Sequence, residues 1–144
     1  MYEVKTGRMY PETPAYFVLH FSISYIRPVF LQVAGRKLLN LSSAIGSHVK
    51  HIVISKGTEF LRVPSDRLMY VSSDGNYSNV VTLDGEKRLV SLQLGQIEDL
   101  IGDQLGDHSG NFLRLGRSLI INVDYIYLID IAKQQLILSD CAGS

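Results

Sequence analysis

At 144 residues, with 46% hydrophobic and 19% charged side chains, the chain is long enough for one domain, or one domain with an appendage, and too apolar to stay disordered. A single cysteine, Cys141, excludes an intrachain disulfide framework or a cysteine metal cluster; it reads as a bystander thiol and fits a reducing compartment. The formal net charge of +0 hides an asymmetry: residues 1–50 carry six basic against two acidic side chains and the remainder eight against twelve, so a nucleic-acid binder built from the later part must gather its basic groups on one edge.

Residues 1–15 contain Pro11 and Pro14 and little periodicity, which predicts an extended lead-in without regular structure. From Tyr16 to Ala34 the chain is strongly apolar, but His20, Arg27 and Pro28 interrupt it. Only about eleven residues precede the first charge, where a membrane span needs about twenty. Neither a basic leader nor a small-residue cleavage site is placed for a secretory signal. Phe17, Leu19, Phe21, Ile23 and Tyr25 recur at every second position, as in a half-buried strand, with a helix or an interfacial membrane segment as alternatives. Val33 to Ile45 reads as a short helix or a linker. So short a segment is marginal on its own, and the expectation is an N-terminal extension, residues 1–47, of unknown role that docks on the later part or on a second copy of the chain.

Beyond His48 and His51 the pattern turns to β. Ile52-Val53-Ile54 and Glu59 to Val63 form one hairpin around Lys56-Gly57, ended by Pro64-Ser65-Asp66. Arg67 to Ser72 is a third strand, and Asp74-Gly75 turns it into a fourth, Tyr77 to Leu83. Asp84-Gly85 is a second hairpin signal, leading to Lys87-Arg88-Leu89-Val90. These two dipeptides between alternating runs predict a β-meander.

Ser91 has the character of an N-cap, and Leu94, Ile97, Leu100, Ile101 and Leu105 follow at helical spacing, with Glu98, Asp99 and Asp103 on the outer face. This predicts one short amphipathic helix, about residues 91–105, stopped at Gly106 and lying over one side of the sheet. Asp103, Asp107 and His108 are the one grouping with metal-ligand character, but no second histidine or cysteine completes the set, so a solvated helix end is the reading and no metal or other cofactor is expected. The glycines beyond the helix lack the Gly-Lys-Ser/Thr of a phosphate loop, and no paired carboxylates or Ser-His-Asp set can be placed, so an enzyme is not expected. Tyr127 to Asp130 and Gln134 to Ser139 close the chain as a hairpin around Ala132-Lys133.

The most informative stretch is Asn111 to Ile126, NFLRLGRSLIINVDYI. It reads as a strand ending near Leu115, a short loop Gly116-Arg117-Ser118 presenting a guanidinium and a hydroxyl, and a second strand from Leu119 to Val123. The order Phe112-x-Arg114-x-Gly116-Arg117-Ser118-x-x-Ile121-Asn122-x-x-x-Ile126 resembles the signature of the LytTR family of bacterial DNA-binding domains, F-x-R-x-H-R-S-x-x-V-N-x-x-x-I. Gly116 stands where the family has His, which removes a polar side chain from the loop, and Ile121 stands where it has Val. The resemblance runs upstream through YVSSDGNYSNVVTLDG and covers roughly residues 50–139.

It implies a mainly β fold: an elongated arrangement of small antiparallel sheets with one helix, which reads DNA with loops placed in successive major grooves. The domain would span residues 48–144, without the family's last strand and third loop. Carried over by position, the first contact loop holds Asn76, Tyr77 and Ser78 and the second holds Arg117 and Ser118. Tyr77 and Arg117 would meet bases, and Asn76, Ser78 and Ser118 phosphate oxygens. Tyr77 could instead pack on its sheet. Arg114 is expected to pair with a carboxylate such as Asp124 or Glu59, and Asn122 to satisfy turn backbone groups. The resulting expectation is a cytoplasmic, sequence-specific transcription regulator. Its partner is double-stranded DNA in repeated half-sites, with self-association through the N-terminal segment and no small-molecule substrate. The alternative is a protein-interaction module that kept the fold and lost affinity for DNA.

Overall fold

A computed structural model of the chain describes residues 4–7, 16–20 and 50–139. Its strands fall into two compact units, residues 49–122 and residues 1–48 with 123–144. The first unit opens with the hairpin β3 (His51–Lys56) and β4 (Glu59–Pro64), paired from His51↔Pro64 to Lys56↔Glu59. After a tight turn at Ser65–Arg67 comes a five-stranded antiparallel sheet of β5 (Leu68–Asp74), β6 (Tyr77–Thr82), β7 (Lys87–Val90), β8 (Phe112–Leu115) and β9 (Leu119–Asn122), in the order β7-β6-β5-β9-β8. The meander expected at Asp74-Gly75 and Asp84-Gly85 is therefore present.

Helix α1 (Leu94–Leu105) joins β7 to β8. It begins at Leu94 and not at Ser91, because Gln93 takes the capping position: its backbone N–H donates to the Gln96 side-chain oxygen at 2.9 Å. Leu94, Ile97, Ile101 and Leu105 form its buried stripe. They pack with Ile52, Ile54 and Val63 of the β3–β4 hairpin and with Val71, Val80, Val90 and Ile120 of the sheet. Each such side chain contributes roughly 1.5–3 kcal/mol on leaving water. Gln104 adds a polar tie: its side-chain amide accepts from the Val53 N–H at 2.7 Å and donates to the Val53 carbonyl at 2.9 Å. The open edge of β3 is thus partly covered by a side chain that mimics a neighbouring strand.

In the second unit, β1 (Val4–Gly7), β2 (Tyr16–His20), β11 (Gln135–Ser139) and β10 (Ile126–Asp130) form an antiparallel sheet in that order. Within the residues read as a structureless lead-in, Val4–Gly7 is a strand paired to β2. Its order comes from that ladder, which no periodicity in residues 1–15 announces. The strand expected from Tyr16 is present as far as His20 and pairs with β11, from Tyr16↔Ser139 to His20↔Gln135. Its expected continuation through Phe21, Ile23 and Tyr25, the helix or linker at Val33 to Ile45, and Cys141 lie outside the described residues.

Candidate nucleic-acid interface

Two turns carry the residues expected to meet DNA. Between β5 and β6, Asp74 pairs with Tyr77, leaving Gly75 and Asn76 as the two central turn residues. Gly75 has φ +61, a left-handed value that suits glycine at the first central position of a tight hairpin. Between β8 and β9, Leu115 pairs with Leu119 and Gly116-Arg117-Ser118 forms the loop, with Gly116 at φ 64. β5 and β9 are antiparallel neighbours in register Tyr70↔Ile121 to Ser72↔Leu119, so the end of β5 lies beside the start of β9. The Ser73 N–H donates to the Ser118 carbonyl at 2.8 Å. Both turns therefore emerge from the same end of the sheet, and the Asp84-Gly85 turn lies at the other.

The side chains divide sharply. Arg117 is exposed and makes no hydrogen bond or ion pair with any described residue. Tyr77 is exposed over 49% of its surface. Asn76 is exposed and accepts from the Gln93 side chain at 3.4 Å, while Ser118 is half-buried. Ser78 is a correction. It is 0% exposed, and its hydroxyl donates to the Leu92 carbonyl at 2.7 Å, so it fastens the segment before α1 and leaves the phosphate-contacting set. Alternation explains why: Ser78 shares the face of Val80, which packs on α1, and Tyr77 takes the opposite face.

The two polar residues of the signature read as structural are so placed. Asn122 is buried, and its amide donates to the Leu68 carbonyl at 2.9 Å and to Ser65 at 3.5 Å. Arg114 does pair with a carboxylate, that of Glu98 on α1 at 2.8 Å and not that of Glu59. Glu98 and Gln93 were missed by sequence reasoning. Glu98 read as a solvated helix face and nothing local distinguishes it, whereas the Gln93-x-x-Gln96 spacing was a legible helix start.

A sequence model described as "LytTr DNA-binding domain" matches residues 58–143, more than half of the chain. The chain belongs to the LytTR family. Among solved structures, the LytTr DNA-binding domain of a putative methyl-accepting/DNA response regulator from Bacillus cereus is similar at 17% identity and a TM-score of 0.42, covering 67% of this chain and 92% of that one. No curated protein matches the chain. LytTR domains are DNA-binding modules of transcription regulators and not a family of enzymes, so DNA is the partner of this one. The antiparallel sheets and one helix of the described residues are the architecture that the signature implied. Among the described residues, no three His, Cys, Asp or Glu side chains gather as a metal set, and no helix is long and apolar enough to cross a membrane.

Proposed function

We propose that this LytTR domain regulates transcription by reading a specific duplex through the Asp74–Tyr77 and Gly116–Ser118 turns, placed in the major groove. Arg117 pairs with a guanine through its N7 and O6, the bidentate contact that planar guanidinium geometry favours. Tyr77 presents an aromatic face and a hydroxyl at the first turn, and Asn76 and Ser118 hold phosphate oxygens that set register. Repeated half-sites read by two copies joined through residues 1–47 complete the proposal, in a cytoplasmic protein.

The observation that carries this reading is the Ser73–Ser118 backbone bond at 2.8 Å, which ties the two turns to one end of one sheet. Arg117, exposed and without a side-chain partner among the described residues, is the group there that offers its guanidinium to a ligand. The test is selection of a preferred duplex from random sequence at fixed salt, followed by binding of the parent and Arg117→Ala over a salt series. Duplex binding whose log–log salt slope amounts to about −0.9 per phosphate contact, with the preference relaxed at one position in the variant, supports the reading. Unchanged preference in Arg117→Ala rejects the loop assignment; no selectable duplex rejects sequence-specific recognition and favours the protein-interaction alternative.

A further inference from the structure

Arg114 stands on β8, two residues before Gly116 of the loop, and its side chain has two protein partners. Its Nε donates to the Gly116 carbonyl at 3.1 Å, and its Nη1 donates to Glu98 Oε2 on α1 at 2.8 Å. The guanidinium also lies against the first turn of α1, 3.5 Å from where a Cβ on Gly95 would stand. One planar group thus links helix, strand and loop, and it grips the loop at the peptide carbonyl that immediately precedes Arg117.

From this geometry we infer that Glu98 and Arg114 are positioning residues: their bridge sets the direction in which the Gly116–Ser118 loop presents Arg117, and so sharpens base discrimination without contacting a base. The inference rests on the reading of Arg117 given above. The pair is partly exposed, at 33% and 50% for the two side chains, and exposed ion pairs add little to global stability. Its effect therefore falls on loop placement, where small displacements of a bidentate donor lose geometry quickly. A lysine at 114 keeps the charge but has no fork with which to reach Gly116 and Glu98 together.

Two measurements on the full chain test this. In the first, backbone ¹⁵N relaxation is compared for the parent, Glu98→Gln and Arg114→Lys. Both variants are expected to lower the heteronuclear NOE at Arg117 and Ser118 while leaving Val80 unchanged. In the second, affinities are compared for the selected duplex and for one substituted at the base that Arg117 reads. Both variants are expected to lose about 3- to 10-fold of that ratio. Unaltered NOE values in both variants overturn the inference, whatever the DNA result. Tighter binding by Glu98→Gln with its preference intact also overturns it, since that is the outcome if Arg114 itself contacts phosphate and Glu98 merely competes for it. If Arg117→Ala keeps its preference, the base-reading assignment fails by itself, and the relaxation data still decide whether the bridge orders the loop.

Discussion

The Ser73 backbone N–H donates to the Ser118 carbonyl at 2.8 Å, joining the last residues of β5 to the loop that leads into β9. With the strand register, this bond places Tyr77 and Arg117 at one end of the sheet. Arg117→Ala is expected to cost about 1–3 kcal/mol of discrimination at a single base position, read from affinities for a set of singly substituted duplexes. A uniform loss across all duplexes would identify Arg117 as a phosphate contact instead.

Gly116 has φ 64 in that same loop. A β-carbon is strained there, so Gly116→Ala is expected to destabilise the fold by roughly 1 kcal/mol, with Gly116→Asn milder because asparagine tolerates the left-handed region. Urea denaturation checks both, and equal midpoints for Ala and the parent would show that the loop relaxes to another conformation.

Asn122 is buried, and its amide donates to the Leu68 carbonyl at 2.9 Å. Asn122→Asp replaces that donor with a carboxylate facing a carbonyl, which is expected to cost more than about 1–3 kcal/mol near neutral pH. Because the buried acid has a raised pKa, its protonated form is favoured in the folded state, and part of the loss should be recovered as pH falls through that raised value. A destabilisation independent of pH would show that the carboxylate finds another donor.

Asp84, in the turn at the opposite end of the sheet, has its carboxyl held below the usual carboxylate value, first by the Thr82 hydroxyl that donates to it. A lowered folded-state pKa contributes stability that is complete above the ordinary value of 3.8 and lost as pH falls through the folded value. Thr82→Val should return Asp84 toward 3.8 in an NMR titration and leave DNA preference unaltered. An unmoved titration would assign the shift to the backbone N–H groups of Glu86 and Asp84 and the charge of Arg67 instead.

At the core, Ile97 is fully buried between the β3–β4 hairpin and the sheet. Ile97→Ala is expected to cost about 2–5 kcal/mol, read as a lowered urea midpoint with the slope retained. A smaller loss would mean that α1 shifts to fill the space.

By itself the amino-acid order determined the strands from His51 to Val90, their turns, the apolar stripe of α1 and the loop between β8 and β9. Alternation at two, recurrence near 3.6 and the demand of tight turns for glycine are all local properties, expressed wherever the chain runs. Only the tertiary structure decided that β5 lies beside β9, that Ser78 turns inward to Leu92 while Tyr77 turns out, and that the carboxylate for Arg114 comes from Glu98. Those outcomes depend on which distant segments share a ladder and which face of each strand meets α1. Register and packing set them jointly, and no short window of residues contains both partners.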